Sequence, residues 1–153
     1  MAGRKSVLGD EYPDTLHYVV SLNNLAMLYK LQGEYQKAEP MLVECLHTRR
    51  AILGEKSPTT LSSLSRLAAL YELEGEHDRA ESLFLECLDM RTEALGTKHK
   101  DALITLGDLA GLYKARGGYA KALSYYERCL QVGKEVLDAS HPDMELYTKD
   151  YTL

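Results

Sequence analysis

The chain lacks several features that would identify whole classes of protein. No apolar run approaches the roughly 20 residues that a membrane-spanning helix needs, so we expect no membrane partner. The start, MAGRKSVLGDEYPD, has basic residues but no apolar stretch behind them, so it does not resemble a signal peptide. We therefore expect a cytoplasmic protein. Only four prolines and no Gly/Ser-rich linker occur in 153 residues, which predicts a single domain over 1–153.

The sequence also has no strong excess of charge of one sign. It carries 23 acidic and 18 basic residues, with a net charge of −5. Such a modest negative balance creates no field that would attract phosphate backbones. We therefore expect that nucleic acid is not a partner.

Sequence signatures of catalysis and of metal binding are missing as well. The chain has no P-loop, no glycine-rich dinucleotide fingerprint and no G-x-S-x-G motif. None of its five histidines lies four residues from another histidine or from a cysteine, so the spacing of zinc ligands is missing. We expect no enzymatic activity, no cofactor and no metal site.

The sequence does contain one pattern in three copies. LNNLAMLYKLQGEYQKAEP begins at Leu22, LSRLAALYELEGEHDRAES at Leu64 and LGDLAGLYKARGGYAKALS at Leu106. Ten positions are identical in all three copies at a constant spacing of 42 residues, without a gap. A fixed period of this length indicates a repeat architecture.

Each copy predicts a helical hairpin. In the first unit, apolar residues recur at i, i+3, i+4 and i+7 from Leu22 to Tyr29, the pattern of one helix face, which we call helix A. Gly33 follows where a left-handed C-cap would end this helix. A second periodic run, from Ala38 to Leu53, predicts helix B. One such hairpin cannot bury its apolar face alone, whereas stacked copies bury a continuous core, so the pattern predicts an all-α solenoid.

The three cysteines fit this repeat as packing residues. Cys45, Cys87 and Cys129 are each 42 residues apart and lie on the three helices B. Equivalent residues in stacked hairpins are separated by roughly 10 Å or more, which is too far for a disulfide. We expect all three to be buried as small apolar residues.

The pattern L-x-x-L-A-x-x-Y…G…A resembles the tetratricopeptide repeat (TPR). The 42-residue spacing, the LNNLA of the first helix A and the LG at the unit boundaries resemble the kinesin light chain type of this family. The resemblance implies a right-handed superhelix of antiparallel hairpins, with helix A lining the concave side. Approximate repeats fall at 10–53, 54–95 and 96–137, followed by a capping helix at 141–151. Three extra residues between Pro13 and Leu22 predict that the first helix A is one turn longer than the others.

Positions of helix A outside the core are the candidates for binding a partner, and they differ between the copies. Asn24 is the second asparagine of LNNLA, and it resembles the residue that clamps peptide backbone in domains of this type. Arg66 provides a guanidinium suited to a carboxylate or a carbonyl, whereas Asp108 would repel acidic ligands. The predicted peptide-binding residues are Asn23, Asn24, Met27, Lys30, Ser62, Arg66, Asp108 and Lys114.

Two functions follow from this pattern. The first is a non-catalytic protein–protein interaction scaffold that binds a peptide or partner segment in the concave groove. The alternative is a structural, self-associating module, a segment of a longer array, that stacks through its ends and its C-terminal half-repeat. Asn23 and Asn24 could also be only a solvated helix face, with Arg66 paired locally to an acidic neighbour.

Overall fold

A computed structural model describes residues 2–96 and 99–136 of the protein. Every regular element in these ranges is an α-helix, which confirms the all-α prediction. The helices are α1 (Ala2–Leu31), α2 (Tyr35–Leu53), α3 (Pro58–Leu73), α4 (His77–Leu95), α5 (Lys100–Ala115) and α6 (Tyr119–Val136). They alternate as helix A and helix B of the three predicted repeats. The capping helix predicted at 141–151 lies outside the described residues.

Helix A and helix B of each repeat are joined by the same glycine turn. In the first repeat Gly33 has φ +77°, a conformation that glycine adopts without steric cost. The N–H of Glu34 donates to the carbonyl of Tyr29 at 2.8 Å, and the N–H of Gly33 donates to that of Lys30 at 3.0 Å. These two bonds form a Schellman motif, which satisfies carbonyls at the end of the helix. The other two repeats show the same pair of bonds, so the predicted left-handed C-cap is confirmed.

The first helix A is longer than the sequence predicts. It has 30 residues, whereas α3 and α5 have 16 each. One extra turn was expected, but the helix continues past Pro13 to Ala2. The start of the first helix A was predicted by comparing Pro13 with Pro58. Pro58 is the first residue of α3, a position that proline favours. Proline does not fix a helix start, because a longer helix can include it at the loss of one backbone hydrogen bond and a local bend.

The chain forms two compact parts, Met1–Leu70 and Tyr71–Leu153, which we call the N-terminal and C-terminal parts. The boundary between them falls within α3. In the N-terminal part α1 packs on α2, where the thiol of Cys45 donates to the carbonyl of Val19 at 3.5 Å. Alanines at the crossing, Ala26 and Ala38, are fully buried. The small side chains at these positions let the two helices approach closely.

In the C-terminal part, α5 packs on both α4 and α6. The hydroxyl of Tyr113 donates to Glu81 of α4 at 2.6 Å. The ring of Tyr113 lies 5.3 Å from that of Tyr125 of α6, measured between centroids. Burial and, after it, the hydrogen bond to the Glu81 carboxylate raise the pKa of Tyr113. This tyrosine therefore links α5 to the helices on both sides.

The prediction that the cysteines are packing residues is confirmed. Cys45, Cys87 and Cys129 are completely buried, and all three thiols are free. Burial raises the pKa of Cys129 to about 12. A thiol with this pKa is protonated at neutral pH and is a poor nucleophile, because the thiolate is the reactive form.

Candidate functional site

Helix A of each repeat presents one stripe of residues that the core does not use. In α1 this stripe contains Val20, Asn24, Met27 and Leu31, which follow the spacing i, i+4, i+7 and i+11 of one helix face. Val20, Asn24 and Leu31 are exposed, and Met27 is half-buried. We call this stripe and its equivalents in α3 and α5 the candidate face. The equivalents are Ser62, Arg66, Ala69 and Leu73 in α3, and Ile104, Asp108, Gly111 and Ala115 in α5.

The two neighbouring asparagines of the first helix A differ in their exposure. Asn24 is exposed on the candidate face, whereas Asn23 is only 5% exposed. The prediction that Asn23 is presented to a ligand is therefore wrong. Position 23 is one residue, or 100° of helix rotation, away from position 24, and this rotation turns it towards the core. Its side-chain oxygen Oδ1 is buried and has no hydrogen-bond partner within the described ranges.

The other predicted residues fall into two groups. Asn24, Met27, Lys30, Ser62 and Arg66 belong to the N-terminal part, and Asp108 and Lys114 belong to the C-terminal part. Among them only Asn24 and Arg66 are exposed, and the remainder are half-buried. Asn24 and Arg66 occupy the same repeat position, 42 residues apart. Asn24 and Arg66 are thus the predicted residues whose side chains the structure leaves exposed.

A buried arginine lies behind Arg66, and sequence reasoning did not recognise its role. Arg49 of α2 is buried, and its Nη1 donates to the hydroxyl of Ser63 of α3 at 2.7 Å. Ser63 and Arg66 are three residues apart, so they lie on neighbouring positions of one helix face. Burial and the positive charge of Arg66 both lower the pKa of Arg49. Two cations therefore lie close together in the N-terminal part.

Arg66 itself has no acidic partner within 2–96 and 99–136. It is exposed, and no ion pair in these ranges includes it. The hypothesis that it is neutralised by a neighbouring carboxylate is not supported for this part of the chain. Within these ranges Arg66 is therefore an exposed cation without an ion pair.

The next repeat has a buried arginine at the equivalent position, but a different residue lies near it. Arg91, which is 42 residues after Arg49, is buried, and its Nη1 donates to the hydroxyl of Thr105 at 2.6 Å and to the carbonyl of Asp101 at 3.2 Å. Asp108 occupies the position of Arg66. Burial raises the pKa of Asp108 to about 6; the positive charge of Arg91 acts in the opposite direction, and the charge of Glu72 adds to the rise. The position that carries the cation of Arg66 in the N-terminal part therefore carries a carboxyl group beside Arg91 in the C-terminal part.

These arginine–hydroxyl bonds carry a testable contribution to stability. We expect Thr105→Val, which removes the hydroxyl and keeps the shape, to lower the free energy of unfolding by about 1–2 kcal/mol, because a buried cation loses one of its acceptors. Urea unfolding measures the change. Thr59→Val, at an exposed position of α3, is the matched control and should change stability by less than about 0.5 kcal/mol. Equal effects of the two substitutions would contradict the importance of this bond.

The C-terminal part also contains a cleft. A cleft of about 350 Å³ lies among α4, α5 and α6, with Leu88, Leu106 and Val132 in its wall. None of the predicted peptide-binding residues lines it. In the two described ranges, no cluster of three or more His, Cys, Asp or Glu side chains is arranged to hold a metal ion. Among the described helices, none combines the length and apolar character needed to cross a membrane.

Comparison with protein families agrees with the repeat pattern. The model of the tetratricopeptide repeat matches residues 17–93 and, in a second overlapping match, residues 59–135. The offset between the two matches is one 42-residue unit, the period found in the sequence. Comparison with curated protein sequences gives no match.

Several solved structures have the same fold. A kinesin light chain-type protein from Podosopora anserina with nearly identical TPR-like repeats superposes with a TM-score of 0.77 at 23% identity, over 88% of this chain and 63% of its own. BtubC (BKLC) from P. vanneervenii gives 0.78 at 19% identity, over 87% and 53%. The N-terminal domain of stress-induced protein-1 from C. elegans gives 0.62 at 12% identity, over 90% and 96%. The chain therefore spans about half to two thirds of the length of the first two proteins.

Proposed function

Because the chain belongs to the tetratricopeptide repeat family, whose members generally mediate protein–protein interaction, we propose that it is a non-catalytic module that binds an extended segment of a protein partner. The segment contacts the part of the candidate face that lies in the N-terminal part, with Asn24 and Arg66. The observation that carries this proposal is the exposed Arg66, which lies next to the buried Arg49 and has no acidic partner in the described ranges.

Asn24 provides the contact to the peptide backbone. An extended peptide has unpaired N–H and C=O groups, and an amide side chain can satisfy one of each. Asn24 is exposed and lies on the same stripe as Val20 and Leu31, which are also exposed. The apolar neighbours contribute contact area for a side chain of the ligand. Backbone recognition of this kind depends little on the ligand sequence.

Arg66 provides the sequence preference. A guanidinium can form two parallel hydrogen bonds to a carboxylate, and the nearby charge of Arg49 strengthens the attraction. The equivalent position in the third repeat is Asp108, whose carboxylate disfavours a second acidic group. We therefore expect a ligand with an acidic residue at the position that contacts Arg66.

Selection from a random peptide library tests this proposal. We expect the wild-type chain to enrich a shared motif that contains an acidic residue, and Arg66→Glu to bind the enriched peptide at least tenfold more weakly. A hydrogen bond to a charged group contributes about 1.5–3 kcal/mol, which corresponds to a factor of about ten or more in affinity. Fluorescence anisotropy with a labelled peptide measures the affinity.

Arg128→Glu is the matched control. Arg128 is exposed on α6, a helix B, and the substitution changes the net charge by the same amount. It should leave the affinity within about twofold, because it lies outside the candidate face. No enrichment on the wild-type chain, or equal losses in the two variants, would contradict the proposed site. Self-association through the C-terminal half-repeat stays a prediction, because residues 141–151 lie outside the described ranges.

A further inference from the structure

The chain itself supplies an anionic group beside Arg91. This buried arginine donates from Nη1 to the hydroxyl of Thr105 and to the carbonyl of Asp101. The carboxyl group of Asp108, three residues after Thr105 on α5, adds an electrostatic attraction to the same guanidinium. A buried cation requires such partners, because its transfer out of water is costly without them.

Arg49, at the equivalent position of the first repeat, has fewer partners. It is only 6% exposed, and within 2–96 and 99–136 its guanidinium makes one hydrogen bond, from Nη1 to the hydroxyl of Ser63 at 2.7 Å. None of its nitrogens is among the completely buried side-chain atoms of these ranges that lack a partner. The N–H groups of Arg49 that are not bonded to Ser63 therefore reach the surface, where a ligand can accept their hydrogen bonds.

The position that holds a carboxyl group beside Arg91 holds a second cation beside Arg49. This residue is Arg66, which is exposed and lies three residues after Ser63 on α3. Its charge repels that of Arg49, and no carboxylate in the described part of the chain forms an ion pair with either arginine. The N-terminal part therefore has two neighbouring cations whose charge the described residues do not neutralise.

We propose that Arg49 and Arg66 together bind a phosphate monoester, carried by a phosphorylated serine or threonine of the protein partner. This inference rests on the proposed function, because the phosphorylated residue takes the place of the acidic residue that contacts Arg66. A phosphate monoester carries a charge of about −1.5 to −2 at pH 7 and three acceptor oxygens, so one such group neutralises both guanidiniums. A carboxylate has a single charge and leaves one of the two cations uncompensated.

The C-terminal part lacks the chemistry of such a site. The carboxyl group of Asp108 has a pKa of about 6, so it is largely ionised at pH 7 and repels a phosphate group. Two neighbouring arginines are a typical arrangement for recognising a phosphorylated residue, whereas an arginine beside an aspartate is already neutralised. The sequence difference at one repeat position thus assigns the phosphate to the N-terminal part.

Three peptide libraries test the proposal. Each has random residues around one fixed central residue, which is phosphoserine, glutamate or alanine. We expect the wild-type chain to select a motif from the phosphoserine library. The selected peptide should bind at least about tenfold more tightly than the same peptide with glutamate, because the phosphate accepts a further hydrogen bond from a charged donor. Fluorescence anisotropy measures both affinities.

The libraries separate failure of this inference from failure of the proposed function. A motif selected only from the glutamate library, or equal binding of the phosphoserine and glutamate peptides, overturns the phosphate site and leaves the proposed function standing. The absence of a motif from all three libraries overturns both.

Substitution of Arg66 tests the charge at the site. Arg66→Asp copies the arrangement of the C-terminal part, in which a carboxyl group lies beside the buried arginine. It should weaken binding of the phosphoserine peptide by at least about tenfold. Arg128→Asp, at an exposed position of α6, changes the net charge equally and should leave the affinity within about twofold. Equal losses in the two variants would overturn the proposal.

Substitution of Arg49 separates a binding role from a structural one. In Arg49→Gln the preference for phosphoserine over glutamate should fall below about threefold, while the glutamate peptide, which Arg66 still binds, keeps its affinity within about threefold. Circular dichroism checks that the variant is folded. If it is not, Arg49→Lys, which keeps the charge but loses the planar fork, should lower the same preference. Equal losses for both peptides, or an unchanged preference in a folded variant, would show that Arg49 does not contact the phosphate.

Discussion

Leu112→Ala is expected to lower the free energy of unfolding by about 3 kcal/mol or more, whereas Leu28→Ala should cost less than about 1 kcal/mol. The two leucines occupy the same repeat position, two periods apart. Leu112 is completely buried, and Leu28 is 58% exposed. Truncating a buried leucine removes its transfer free energy and leaves a cavity, and an exposed leucine loses little of either.

Urea unfolding of the two variants measures this difference. Leu31→Ala, at a leucine of α1 that is 80% exposed, is the control, and it should behave like Leu28→Ala. A cost for Leu28→Ala as large as that for Leu112→Ala would contradict the exposure of Leu28. The pair of substitutions thus reports directly on the burial that distinguishes α1 from the later helices A.

Asp108→Asn is expected to stabilise the protein at neutral and alkaline pH by up to about 3 kcal/mol. Burial raises the pKa of this carboxyl to about 6 from an ordinary value of 3.8, and a shift of two pKa units corresponds to about 3 kcal/mol. The folded state binds the proton more tightly than the unfolded state does. The stability associated with the protonated carboxyl is therefore fully present below about pH 4, and it is lost as the pH rises through about 6.

The difference in stability between Asp108→Asn and the wild type should follow this window. It should be close to zero at pH 3.5, grow between about pH 4 and 6, and become constant above about pH 7. Urea midpoints at several pH values measure it. Asp89→Asn, at an exposed position of α4, should show no such growth. A constant difference across the whole range would contradict the raised pKa of Asp108.

Part of the candidate site could be predicted from the sequence. The repeat period identified Asn24, Arg66 and Asp108 as equivalent positions outside the core, and the structure leaves Asn24 and Arg66 exposed. The sequence placed Asn23 among the ligand-binding residues, and this was wrong. Its polar side chain suggested exposure, and nothing in the sequence indicated that it is buried. Arg49 and Arg91 were visible as repeated residues, but their hydroxyl partners lie 14 residues further along the chain.

The sequence by itself determined the helical hairpins, their 42-residue period, the glycine turns and the burial of the cysteines. These features follow from local backbone preferences and from apolar spacing along one helix, which the order of residues records directly. Only the tertiary structure decided that the leucine at one repeat position is exposed in α1 and buried in α3 and α5. It also decided how far burial shifts the pKa of Asp108. Burial depends on which helix lies against a surface and not on the residue that forms it. A repeated sequence therefore acquires different surfaces wherever its neighbours differ.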